Sequence, residues 1–126
     1  MSEDRKVMPP RGGLLHVVDA TGYSLAGFRR LWQETAARLE IGAALIVVPA
    51  FVWRGAEVWH WLAALALLAL VLSVEALNTA IEELIDRLSP EWSQMAKDAK
   101  DLGSLAVGLV QLVAGGFVVA VLAGFL

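Results

Sequence analysis

A chain of 126 residues holds one domain at most. Its 58% hydrophobic content and mean hydropathy of +0.64 set it apart from water-soluble proteins and point to several membrane spans. The absence of cysteine excludes disulfides and thiolate metal sites, and a formal charge of −3 without a basic stripe gives nucleic-acid binding no support.

Residues 1–13, with Pro9, Pro10, Gly12 and Gly13, read as a flexible tail ahead of a single domain over 14–126. Residues 1–23 carry both charge signs and no sustained apolar stretch, so no cleavable signal peptide is expected. Over about 14–35, Phe28, Leu31, Trp32 and Thr35 recur at helical spacing between Arg29, Arg30, Gln33 and Glu34. This predicts an amphipathic helix lying on the membrane surface.

Three spans follow, at about 36–53, 58–85 and 102–126. Pro49 is a candidate kink in the first. Arg54-Gly55-Ala56-Glu57 makes a tight polar connection flanked by Trp53, Trp59 and Trp61, a pattern suited to one membrane interface, where His60 also falls. Ser89-Pro90 ends or bends the second span, and Glu91–Asp101 is a polar, helix-compatible connection. In the third span Ser104, Gly108, Gln111 and Gly115 share a face that favours close helix approach with a polar contact.

Orientation follows from the basic residues. Nine Lys and Arg lie before or in the first turn of the first span or between the second and third, and Arg54 alone lies on the other side. The positive-inside rule then makes the N-terminal region and the 86–101 connection cytoplasmic. Three thin helices bury little by themselves, which favours a homo-oligomer.

The second span carries groups that a lipid-facing helix should lack. At 100° per residue, Glu75, Asn78, Glu82 and Asp86 fall on one narrow stripe, and Asp101 follows in the connection. A carboxylate in hydrocarbon costs roughly 2.5–3.5 kcal/mol on insertion scales, so such groups normally serve a task. Glu83 falls off the stripe and reads as solvated or paired, and Glu40 as a metal-supporting or paired interface charge.

Carboxylates, an amide and the adjacent Lys100-Asp101 at a membrane interface meet the needs of phosphoryl transfer. Mg²⁺ takes hard oxygen ligands, and a carboxylate must accept the nucleophile's proton. Glu34 and Glu82, near the interface, are candidate metal ligands. Glu75 lies about two turns deeper, roughly 10 Å, which suits a general base meeting a nucleophile from the bilayer. Two other readings stand beside this one: a Glu75–Asn78 hydrogen bond holding an oligomer together, and an ion- or proton-conducting role in a small membrane channel or scaffold.

The run Val74-Glu75-Ala76-Leu77-Asn78-Thr79-Ala80-Ile81-Glu82, then Asp86-Arg87, then Ala99-Lys100-Asp101-Leu102-Gly103-Ser104, resembles the signature of the prokaryotic integral-membrane diacylglycerol kinase family. The pattern E-x-x-N-S/T-A-I-E-x-x-x-D followed by A-K-D-x-G-S is long and specific. Gly22-Tyr23-Ser24, Gly27 and Glu34…Arg38…Glu40 extend the similarity to about residues 14–126. Of the tandem Lys97-Asp98 and Lys100-Asp101, only the second is followed by Gly103-Ser104.

The resemblance implies an all-α membrane protein: a homotrimer of three-helix protomers with an N-terminal surface helix, and active sites shared between neighbours. It implies MgATP-dependent phosphorylation of a lipid alcohol in the bacterial cytoplasmic (inner) membrane, with the site facing the cytoplasm. Diacylglycerol is the default acceptor and undecaprenol the alternative. By position, Glu75 would be the general base with Asn78 beside it, and Glu34 and Glu82 would hold Mg²⁺. Lys100 would contact the ATP phosphates, Asp101 would assist nucleotide binding, and Tyr23 and Ser24 would border the nucleotide. Asp86 would be structural, and Ser104 would lie where the lipid arrives.

Overall fold

The computed structural model describes residues 9–126 and is all-helical. Residues 1–8, including most of the expected tail and the basic Arg5 and Lys6, lie outside the described residues. Four helices follow in order: α1 (Gly13–Leu31), α2 (Thr35–Arg54), α3 (Val58–Leu88) and α4 (Gln94–Ala123). The last three are long and apolar enough to cross a membrane.

Helix α2 runs through Pro49 as one helix and stops at Gly55, whose φ of 71° is costly for any residue with a Cβ. The Ala56 N–H donates to Phe51 O and the Gly55 N–H to Val52 O, so the final carbonyls are satisfied by the turn itself. Gly124 ends α4 in the same way. Helix α3 begins at once. The Glu57 backbone N–H donates to His60 Nδ1 at 2.8 Å, the return half of a capping box. His60 is therefore buried, as part of a helix cap, where its sequence position suggested only an interfacial residue. The signal was an acidic N-cap three residues before a side chain able to reach back.

At about 1.5 Å per residue, the 20-residue α2 spans about 30 Å, close to the hydrocarbon thickness. Helix α3, with 31 residues, is about 46 Å long and projects well beyond that at the end away from Gly55. Helix α4 matches it, because it starts at Gln94 rather than near residue 102. Ser93 explains the early start: its Oγ accepts the Ala96 N–H at 3.1 Å and meets Ser89 Oγ at 2.9 Å. The polar stretch read as a connection is thus mostly the first two turns of α4, and it holds its charged residues against the end of α3.

The core is small. Leu31, Ala37, Phe51, Val71, Ala96 and Val121 are its buried apolar residues, while Leu45, Leu65 and Leu112 stay largely exposed. In a membrane chain those faces meet lipid or other protein. Helices α3 and α4 approach closely at Gly103, where an added Cβ would overlap Asn78 Oδ1. Gly108 and Gly115, on the face expected to pack closely, have open space around them within the chain.

Candidate active site

The ends of α1 and α2, the second half of α3 and the first half of α4 meet at the end of the molecule away from Gly55. Glu75 is 6% exposed, and Thr79, one turn on, is also buried, with its hydroxyl donating to the Glu75 carbonyl at 2.9 Å. The Glu75 Oε2 atom has no hydrogen-bond partner within the chain. Glu40, Glu82 and Glu34 lie close enough to act on its charge, so α2 with its N-cap and α3 gather carboxylates around it.

Asn78 is half-buried. Its amide nitrogen donates to Glu82 Oε1 at 3.3 Å, and its Oδ1, pressed toward Gly103, has no partner. Its intrahelical bond thus goes to Glu82 rather than to Glu75. Gln111 donates to Glu40 Oε1 at 2.5 Å, which supplies the polar contact expected of that face of α4. These two residues edge an otherwise apolar cleft of about 580 Å³ between α2, α3 and α4.

Lys100, Lys97 and Arg30 are each paired with acids. Lys100 reaches Asp86 at 2.5 Å across α3 and α4, and Lys97 reaches Asp101 at 2.5 Å along α4. Both pairs are largely exposed, at 43–64% of each side chain, so solvent screens them and a phosphate could displace the acid at little cost. Arg30 bridges Glu34 and Glu83, each at 2.6 Å. Glu83 is therefore paired, and it ties α1 to α3.

Of the residues singled out from sequence, Glu34, Glu75, Asn78 and Glu82 are brought together, with Lys100 anchored beside them through Asp86. Tyr23 and Ser104 are exposed and hydrogen-bond to none of these. Ser24 lines a second cleft of about 530 Å³ between α1 and α3, shared with Arg30, Ser73, Thr79 and Glu83. Sequence reasoning passed over Arg30 and Gly103. The first had a signal in its four-residue spacing from Glu34; the second stood inside the A-K-D-x-G-S run without a stated reason.

Among the described residues no three acidic or histidine side chains converge as a ready-made metal cage. The donors nevertheless suit Mg²⁺, which commonly takes one or two carboxylates and completes its shell with water and substrate phosphates. Glu34 and Glu82 each have one oxygen engaged by a hydrogen bond within the chain and a second oxygen beside it.

A sequence model of prokaryotic diacylglycerol kinase matches residues 22–122. The chain belongs to that family. This lipid kinase is 46% identical over 104 residues to a diacylglycerol kinase of Sinorhizobium sp, covering 82% of this chain and 75% of the relative. It is 36% identical over 103 residues to the Escherichia coli (strain K12) diacylglycerol kinase, covering 81% and 84%. A Pseudomonas aeruginosa diacylglycerol kinase is 43% identical over 99 residues, covering 75% and 77%. Membership in a family of membrane lipid kinases sets aside the reading of the acidic stripe as part of a channel or scaffold.

Proposed function

We propose that this kinase transfers the γ-phosphoryl group of ATP to the hydroxyl of diacylglycerol, giving phosphatidic acid and ADP at the cytoplasmic face of a bacterial inner membrane. The observation that carries the reading is Glu75: a buried carboxylate in a membrane helix, with one oxygen unpartnered and Asn78 one turn away. Leaving such an atom unpaired costs about 1–3 kcal/mol, a cost that makes sense if the partner is a substrate.

In the step this supports, the lipid hydroxyl oxygen attacks the γ-phosphorus while its proton passes to Glu75. The bond from that phosphorus to the β–γ bridging oxygen breaks, and ADP departs with the electron pair. Asn78, held by Glu82 and by the close approach at Gly103, is placed to orient the hydroxyl or a phosphoryl oxygen. Lys100 exchanges Asp86 for phosphate, and Asp101, Tyr23 and Ser24 border the nucleotide. Ser104 lies on the side from which the lipid arrives. Glu34 and Glu82 would hold Mg²⁺, which would supply charge neutralisation on the phosphates.

The large exposed apolar faces of α2, α3 and α4 support assembly into a homotrimer whose neighbours complete each site. The test is incubation of the purified oligomer with labelled ATP and a panel of lipid alcohols, with and without Mg²⁺. Label should enter diacylglycerol only with the metal present. Preferential labelling of undecaprenol would replace the acceptor, and label transfer without a divalent cation would remove the metal assignment.

A further inference from the structure

Arg30 joins three helices at the polar end. It sits in the last turn of α1; its Nη1 donates to Glu34 Oε1 at 2.6 Å and its Nε to Glu83 Oε1 at 2.7 Å. Its Nη2 lies 2.6 Å from the same Glu83 oxygen. Only the planar fork of a guanidinium can serve two carboxylates on separate helices in this way.

Glu34 is itself unusual. It is the N-cap residue of α2, with extended φ and ψ of −78° and 129°, yet its side chain accepts no hydrogen bond from the first turn of that helix. An acidic N-cap ordinarily turns back onto those free N–H groups. Here the carboxylate is drawn the other way by Arg30, with one oxygen engaged.

Glu83 matters for the same reason. A guanidinium released from α3 could close on Glu34 with two parallel bonds and engage both of its oxygens. Holding the fork from the opposite side leaves it only one donor for Glu34.

We propose that Arg30, anchored by Glu83, is a positioning residue that aims the Glu34 carboxylate and keeps its second oxygen available to a divalent cation. This rests on the assignment of Glu34 to Mg²⁺ made above. Without Arg30 the Glu34 side chain falls back onto the start of α2; without Glu83 the arginine competes with the cation. Both losses weaken cation binding and leave the chemical step alone.

The test measures Mn²⁺ binding by electron paramagnetic resonance on the detergent-solubilised oligomer with a non-hydrolysable ATP analogue, alongside the Mg²⁺ dependence of the kinase reaction. Wild type is compared with R30Q, R30K, E83Q and E34Q. R30Q and E83Q should weaken Mn²⁺ binding and raise the half-saturating Mg²⁺ about tenfold, the low end for groups supporting a ligand, with kcat at saturating Mg²⁺ within about twofold. R30K, lacking the fork, should recover less than half of the loss. If E34Q weakens Mn²⁺ binding but R30Q and E83Q do not, the inference fails and the assignment of Glu34 stands. If E34Q also leaves Mn²⁺ binding unchanged, both fall. A lower melting temperature and kcat with cation affinity intact would make the Arg30–Glu83 bridge merely structural and overturn the inference.

Discussion

The same three long helices make two ends of opposite character. At the Gly55 end, Phe51 is fully buried and meets the edge of Trp61 at 5.3 Å, Val121 is 1% exposed, and two left-handed glycine turns close α2 and α4. His60 Nε2 is the only buried side-chain polar atom left unpaired at that end among the described residues. At the other end Glu40, Glu75 and Asn78 each leave one unpaired, and the ion pairs around them are open to solvent. One end is completed by the chain itself. The other leaves polar atoms free for partners outside the chain, as the proposed site, shared by a lipid, a nucleotide and a neighbouring subunit, would require.

Substitutions at the two ends should therefore fail differently. Gly103→Val places a side chain on Asn78 Oδ1, forcing apart a close contact of α3 and α4 beside the candidate base. Overpacking of this kind costs about 1–3 kcal/mol, and activity should drop further than the melting temperature indicates, because Asn78 itself is displaced. Thermal unfolding in detergent and specific activity, measured on one preparation, separate the two effects. Phe51→Ala should do the reverse. It opens a cavity worth about 3 kcal/mol and lowers the melting temperature, while specific activity of the folded protein is retained.

Glu82→Ala should raise the half-saturating Mg²⁺ about tenfold without loss of assembly, which a metal titration of the rate checks. The smallest effect is at Asp19, whose hydrogen bond and ion pair with Arg11 hold its carboxyl below the usual range. A depressed folded-state value stabilises the pairing at neutral pH and loses it as pH falls through that value. Amide exchange at the start of α1 should quicken below about pH 4, and Asp19→Asn should remove the pH dependence.

Much of this division was legible in the sequence. The period of 3.6 put Glu75, Asn78, Glu82 and Asp86 on one stripe, and hydropathy marked three spans. What periodicity could not supply was pairing across helices. Arg30 and Glu83 meet only because α1 lies against α3, and nothing in either neighbourhood names the other. The early start of α4 was hidden because charged residues in a membrane chain read as a connection, although Ser93 was a legible cap. The small-residue face of α4 was visible, but which glycine packs depends on the register of α3 against α4, and in that register it is Gly103 that meets Asn78.

The central claim is that Glu75 is left unpaired because it accepts the proton of the lipid hydroxyl. The direct measurement is the turnover of Glu75→Gln at saturating lipid and MgATP, with the oligomer checked by size-exclusion chromatography. The account predicts an assembled protein whose kcat is lower by about 10²–10⁴-fold, the usual contribution of a general base. Near-normal turnover per assembled oligomer, or loss of the assembly itself, would contradict it.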